Sequence, residues 1–199
     1  MGKPVLSLLL LLLSRCCLGF IPFTTTKHIA SSRLFAVPPP PGRVDDVDEW
    51  VSWSSDSLER LSGESLLDKM EGVGSVAEVH GNERYAVLSH GIQEDPIYNY
   101  FNEGALQTFL WPPEEIYSVP SRYSAPSGNV RQERQQLMQN VVEQDLRVFP
   151  TAIRQNKLGK QFQLTNVLLW NVYNNDGDRV GQTALFDRNL IVPVEDEGK

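Results

Sequence analysis

Three strand patterns follow one another in the last third of the chain, and only short turns separate them. Each is rich in β-branched and aromatic residues; they cover 147–155, 161–173 and 179–186. The turns at 157–160 and 174–177 contain Gly and Asn, which suit hairpins. Pro150 lies within the first pattern and cannot donate a hydrogen bond to a neighbouring strand. The sequence therefore predicts an antiparallel sheet with this strand at its edge.

Two more strand patterns and several helical patterns precede these strands. In order they are strands at 85–89 and 97–101 and helices at 103–111, from Pro112, and at 129–145. Asn129 is the predicted N-cap of the longest helix, with Gln132 at the reciprocal capping position. Its predicted buried side comprises Val130, Leu137, Met138, Val141 and Val142. This order predicts an α+β fold with one five-stranded antiparallel sheet and an N-terminal helix.

A helical extension at 45–82 comes before the predicted domain at 83–192. Trp50 and Trp53 belong to an apolar series at helical spacing, and 72–81 is expected to form a loop. Two tryptophans in one helix indicate that the helix is buried. The helix either covers its own domain or packs against a second subunit in a homodimer.

The first 44 residues have the composition of a two-part targeting sequence. Residues 1–19 combine Lys3 with an apolar run that is short for a membrane span, as in a signal peptide. Residues 20–44 combine a transit-peptide composition, without acidic residues, and a proline-rich linker. A transit-like segment that begins with Phe20 resembles the presequence of algae with complex plastids, which predicts a plastid protein. An ordinary secretory signal followed by a basic linker is the alternative.

Removal of this presequence leaves an acidic chain without cysteine. Cys16 and Cys17 both lie in the predicted signal peptide, so we expect no disulfide and no cysteine nucleophile in the mature protein. Residues 45–199 carry 13 basic and 25 acidic residues, a net charge of −12, and end in an acidic tail at 193–199. Such a surface repels nucleic acid, so direct binding of nucleic acid is not expected. No membrane span is expected in the mature form.

Several motifs, spaced along the chain, carry a family resemblance. They are LSHG at 88–91, DPIYNY at 95–100, PSRYSA at 120–125, LLWNV at 168–172 and GQTALF at 181–186. Together they resemble the MEKHLA domain, a relative of the PAS sensor domains, in its short standalone form. The resemblance covers 85–186 and implies a PAS-like α+β fold, with a five-stranded antiparallel sheet, helices packed on one face and a preceding N-terminal helix. It also implies a sensory or regulatory module that binds a small molecule noncovalently or a protein partner. A ligand-free structural adaptor of a plastid complex is an alternative.

The resemblance also indicates which cofactors to consider. PAS photosensors with a covalent flavin adduct or a cinnamoyl chromophore need a cysteine, and haem-binding PAS domains usually use a histidine from the long helix. The predicted mature chain contains no cysteine, and the predicted long helix at 129–145 contains no histidine. A noncovalent ligand is compatible with the sequence, which does not identify a cofactor. The acidic pair Asp176 and Asp178 is explained by a hairpin turn, so no metal site is predicted.

Six polar or aromatic residues are the predicted ligand contacts. They are Asn99, Asn102, Arg122, Trp170, Asn171 and Gln182. Arg122 could bind a ligand carboxylate or phosphate, or pair internally with Asp95 or Glu133. Strand alternation predicts that Phe162, Leu164, Leu168, Trp170 and Val172 share one face of the sheet.

An enzyme is the alternative function. His90 with Asp95 or Glu94 could perform acid–base chemistry. The segment contains no oxyanion-hole motif or nucleophile elbow, and Ser-His-Gly at a strand end is typical of a hydrogen-bonded corner. The sequence therefore predicts no catalytic residue.

Overall fold

The computed structural model describes residues 42–194, which form a PAS-like α+β domain. The helices are α1 Val47–Ser62, α2 Leu66–Lys69, α3 Val76–Gly81, α4 Glu103–Phe109 and α5 Asn129–Gln144. The strands are β1 Tyr85–His90, β2 Tyr98–Phe101, β3 Leu146–Gln155, β4 Gln161–Tyr173, β5 Arg179–Asp187 and β6 Val192–Pro193. Short 3-10 helices occupy Ile116–Ser118, Ser121–Ser124 and Arg188–Leu190. Most of the predicted presequence (1–41) and most of the acidic tail (195–199) lie outside the described residues.

The sheet is antiparallel and has the strand order β2-β1-β5-β4-β3, with the two-residue β6 beside β4. Among the described strands, β3 pairs only with β4. The edge position predicted from Pro150 is therefore confirmed.

The three central strands align two rows of residues across the sheet. We call the first set the inner row; it consists of His90, Gln182 and Asn171, which lie opposite one another on β1, β5 and β4. We call the second set the outer row; it consists of Ser89, Thr183 and Trp170. Successive side chains of a strand point to opposite faces, so the two rows face opposite sides of the sheet.

Hydrophobic side chains pack on both faces of the sheet. One core lies between the inner face and α4 and α5, and includes Phe109 and Val141. The other lies between the outer face and α1 to α3, and includes Trp50, Leu58 and Trp170. Helix α1 therefore covers its own sheet, which is one of the two interpretations of its tryptophans. A homodimer through α1 stays a prediction.

The helices differ from the prediction in three places. The segment 72–81, expected to be a loop, contains α3, because the Ser75 side chain accepts a backbone hydrogen bond and caps the helix. Helix α5 begins after Gly128, and no side chain caps it, so the predicted cap by Asn129 is wrong. The helix expected from Pro112 is reduced to a turn and the 3-10 helix that follows it.

The alternation of side chains along β4 changes at Asn166. This residue has φ +52, a left-handed conformation that asparagine tolerates better than most residues. Before it, Phe162 and Leu164 belong to the inner core, whereas after it Val167 does. The prediction that Phe162 and Leu164 share a face with Trp170 is therefore wrong.

Candidate ligand-binding site

A cleft of about 540 Å³ lies between α5 and the segment 91–96, which follows β1. An inner cavity of about 40 Å³ lies between α5 and the inner face of the sheet. Four residues line both spaces: His90, Arg134, Met138 and Gln182. The cleft and the inner cavity are therefore adjacent, and these side chains stand at their boundary.

Arg134 is a charged residue at this boundary, and its side chain is buried, with 8% exposure. One guanidinium nitrogen donates to the Ser121 hydroxyl at 2.9 Å, whereas Nε has no partner among the described residues. None of the ion pairs within 42–194 involves Arg134. Burial lowers its pKa, because the charged form loses hydration that a neutral hydroxyl replaces only in part.

Further guanidinium groups surround the two spaces. Arg154 of β3 is buried beside the inner cavity and donates to the backbone oxygen of Ile153 at 2.8 Å. Burial, and then the charge of Arg134, lower the pKa of Arg154 to about 10. Arg131 and Arg179 line the cleft, and Nε of Arg131 is also buried without a partner in the described chain. This is a cluster of positive charge within an acidic protein.

His90 is buried and uncharged at neutral pH. Its Nδ1 lies 2.9 Å from the backbone oxygen of Gly91, and its Nε2 has no partner among the described residues. A carbonyl oxygen only accepts, so Nδ1 carries the proton and Nε2 is left as a hydrogen-bond acceptor. Burial, followed by the charge of Arg134, lowers the pKa of His90 to about 4. The structure therefore presents an unused acceptor beside unused donors.

The acid–base pair considered for an enzyme is not formed. His90 Nδ1 bonds to the backbone of Gly91 and Nε2 has no partner among the described residues, so neither nitrogen bonds to Glu94 or Asp95. Asp95 instead forms an ion pair with Arg122, which confirms the internal pairing predicted for that arginine. A histidine with a pKa of about 4 is also a weak general base near pH 7.

Two of the six predicted ligand contacts line the cleft. Gln182 lines both spaces, and its Nε2 donates to Oδ1 of Asn171 at 3.0 Å. Arg122 lines the cleft and forms an ion pair with Asp95. Its guanidinium carbon also lies 4.8 Å from the centroid of the Tyr123 ring. The structure brings these two residues to the same space.

The other four predicted contacts do not line either space. Asn102 caps α4 through Oδ1 and donates through Nδ2 to three backbone oxygens. Asn99 accepts a hydrogen bond from Ser89, and Asn171 donates to the backbone of Val141 at 3.1 Å. Trp170 belongs to the outer row. Asn102 and Asn171 therefore hold backbone groups in place, and Asn99 and Trp170 bond to other parts of the protein.

Arg134 and Arg154 were not among the predicted contacts. Arg134 follows Val130 by four residues and precedes Val141 by seven, so it occupies the buried register of the longest helix. Of the five apolar residues predicted for that side, only Val141 is fully buried, and Arg134 is the other buried residue of α5. A charged residue at a buried position of the helix was therefore the feature of the sequence that could have identified Arg134 as a site residue.

The opposite face of the sheet connects to α1 through buried polar contacts. The Trp50 indole donates to the Ser89 hydroxyl at 2.7 Å. The hydroxyls of Ser54 and Thr183 lie 2.9 Å apart, and the Trp170 indole donates to the Ser54 backbone oxygen at 2.9 Å. Every residue of the outer row therefore contacts α1.

Residues 42–194 contain neither a membrane-spanning helix nor a cluster of metal ligands. None of the helices described there is long and apolar enough to cross a membrane. In the same range, no group of three His, Cys, Asp or Glu side chains could hold a metal ion.

Solved structures similar to this chain include PAS and light-oxygen-voltage proteins. The PAS domain of a protein from Colwellia psychrerythraea is 14% identical over 59% of this chain and 92% of its own, with a TM-score of 0.47. An RNA-binding light-oxygen-voltage receptor is 15% identical over 56% of this chain, with a TM-score of 0.48; the match spans only 32% of that receptor. The blue-light photoreceptor Vivid is 15% identical over 51% of this chain and 76% of its own, with a TM-score of 0.41. No functionally curated protein matches significantly.

A family comparison gives a more specific result. The MEKHLA domain matches residues 48–189, more than two thirds of the chain. The match extends beyond the predicted 85–186 at both ends and includes nearly all of α1. The chain belongs to the MEKHLA domain family.

Proposed function

We propose that this chain is a regulatory module that binds a small molecule noncovalently between α5 and the sheet, and that α1 transmits the binding. Two residues of the inner row, His90 and Gln182, line both spaces, and every residue of the outer row contacts α1; this arrangement supports the proposal. The two rows occupy neighbouring positions on the same three strands. A ligand on one face therefore lies one residue away from the contacts that hold α1 on the other.

Gln182 provides the connection on the ligand side. It lines both spaces and donates to Asn171, which in turn donates to the Val141 backbone near the end of α5. A ligand that changes the position of Gln182 also changes the contact between β5, β4 and α5. The neighbouring residue, Thr183, contacts Ser54 of α1.

His90 provides a second connection. Its neighbour Ser89 accepts a hydrogen bond from Trp50 and donates one to Asn99. Because the hydroxyl has both partners, rotation of Ser89 breaks at least one buried hydrogen bond. A shift of β1 caused by a ligand at His90 would therefore alter the docking of α1.

The plastid is the proposed site of action. The support is the composition of 1–44, which lies largely outside the described residues. A fluorescent protein carrying 1–44 should enter the plastid of an alga with complex plastids, whereas one with Phe20→Ala should be retained before the stroma. Secretion of both fusions would favour the ordinary secretory signal.

Native mass spectrometry of the protein purified from its own cells tests the ligand-binding function. We expect a retained small mass in the wild type and in Gln163→Leu, which changes a glutamine that does not line either space. Gln182→Leu should retain less. A retained protein mass without a small molecule would favour the adaptor, and activity that requires His90 would favour the enzyme.

A further inference from the structure

We propose that the ligand is a small organic acid that carries a hydrogen-bond donor, such as a hydroxyl, near its carboxylate. In this arrangement Arg134 binds the carboxylate, and Nε2 of His90 accepts the hydrogen bond from the donor. The inference rests on the proposed function, because it assigns a ligand class to the same site.

The need for an anion follows from the burial of Arg134. Within residues 42–194 its guanidinium donates to the neutral Ser121 hydroxyl, and its Nε–H is buried without an acceptor there. A guanidinium removed from water is stable only when its charge and its donors are matched. The anionic oxygens of a ligand would match both.

The surrounding charges attract an anion to this position. Arg131 and Arg179 line the cleft, and Arg154 lines the inner cavity. The acidic residues that line the cleft are Glu94 and Asp95, and Asp95 is already paired with Arg122. The excess positive charge contrasts with the net charge of −12 of residues 45–199.

The unpartnered donor of Arg134 and the size of the cleft together favour an organic acid. A carboxylate oxygen can accept the Nε–H of Arg134, which has no partner among the described residues. The cleft, at about 540 Å³, also has room for an organic body beyond the anionic group.

The need for a donor follows from the tautomer of His90. Since Nδ1–H donates to Gly91, the buried Nε2 can only accept. A simple carboxylate has no hydrogen to give and would leave this acceptor unsatisfied. A hydroxyl on the same molecule would satisfy it.

Isothermal titration calorimetry with pairs of acids that differ by one hydroxyl tests the inference. The pairs are glycolate and acetate, malate and succinate, and mandelate and phenylacetate; inorganic phosphate and dimethyl malate are the comparison ligands. For at least one pair, we expect the hydroxy acid to bind about tenfold more tightly, as for one good hydrogen bond. Phosphate and the uncharged ester should bind more weakly.

Three variants assign the two contacts. Arg134→Met should abolish binding of both acids of the pair, whereas Arg147→Met, on the edge strand outside both spaces, should bind as the wild type does. His90→Leu should lower the affinity for the hydroxy acid to that for the acid without the hydroxyl, and should leave the affinity for the second acid unchanged. Circular dichroism and thermal unfolding establish that each variant is folded; if His90→Leu is not, His90→Gln replaces it.

Three results would overturn the inference: the hydroxyl has no effect in any pair, phosphate or the ester binds best, or Arg134→Met binds as the wild type does. If these occur while native mass spectrometry still finds a retained neutral small molecule, the ligand class is wrong and the proposed function stands. If nothing is retained and no acid binds, both fail.

Discussion

The Trp50 indole of α1 donates a buried hydrogen bond of 2.7 Å to the Ser89 hydroxyl of β1, and the next residue of that strand, His90, lines the cleft. This relationship places the attachment of α1 one residue from the candidate ligand site. A substitution at Ser89 can therefore weaken the docking of α1 without changing a residue that lines the cleft or the inner cavity.

Ser89→Ala should weaken the docking of α1. It leaves the Trp50 N–H and the Asn99 side-chain oxygen without their partner, and we expect a loss of about 1–3 kcal/mol in the free energy of unfolding. Urea unfolding followed by tryptophan fluorescence measures this loss. Ser52→Ala is the matched control, because that hydroxyl bonds only within α1, and it should change stability little. Equal stability of both variants would contradict the account.

Arg134→Met should stabilise the ligand-free protein. Methionine keeps an unbranched apolar chain and removes a buried charge that has no carboxylate partner among the described residues, so we expect a gain of about 1–4 kcal/mol. Thermal and urea unfolding measure it. Arg147→Met should stay within about 0.5 kcal/mol of the wild type. Destabilisation by Arg134→Met would show that the charge is already balanced without a ligand.

Stability should fall as the pH is lowered from 6.5 to about 4, because of His90. Its pKa is lowered to about 4 in the folded chain from an ordinary 6.5, so in this window only the unfolded chain takes up the proton. This difference in pKa contributes about 3 kcal/mol to the free energy of unfolding. The contribution is complete above pH 6.5 and is lost by about pH 4. His90→Gln should reduce this slope.

Urea unfolding at successive pH values provides the comparison. The pKa of Asp145 is lowered chiefly by the Tyr173 hydroxyl, so its contribution to stability is lost only as the pH falls below 3.8. Both proteins contain Asp145, so this contribution does not affect the comparison. An identical pH slope in the wild type and in His90→Gln would show that His90 does not titrate as the structure implies.

Gly181→Ala should destabilise the contact of α1 with the sheet. A Cβ there would clash with the backbone oxygen of His90 and would lie 2.8 Å from the Trp50 ring, so the strand and the ring must both adjust. We expect a loss of about 1–3 kcal/mol from this overpacking. Gly81→Ala has no neighbour within 4 Å of the new methyl group and should be close to neutral. A neutral Gly181→Ala would mean that α1 is not packed closely at this point.

Much of the fold follows from local patterns. The strands at β3, β4 and β5 are apolar runs between turns, and Pro150 specifies the edge because a proline has no N–H for a second partner. Local patterns fail where a single residue changes the backbone. Asn166 reverses the alternation of β4, and no periodicity reveals a left-handed residue within a strand.

The candidate site is harder to predict because it depends on register. Gln182 and Asn171 were predicted as contacts from their residue types alone, but which of them reaches a cavity depends on how β5, β4 and α5 align. Arg134 was missed because charged residues of helices usually face solvent. Asn102 was assigned to a ligand, whereas backbone groups of three neighbouring segments use its amide.

Hydrogen–deuterium exchange of α1, Val47–Ser62, with and without bound ligand tests the central claim most directly. The ligand is the molecule retained in native mass spectrometry or the acid that binds best in calorimetry. The account predicts that binding changes the exchange of α1 in the wild type, and that Ser89→Ala retains binding with a smaller change. Binding that alters exchange in α5 and leaves α1 unchanged in the wild type would contradict transmission through the sheet.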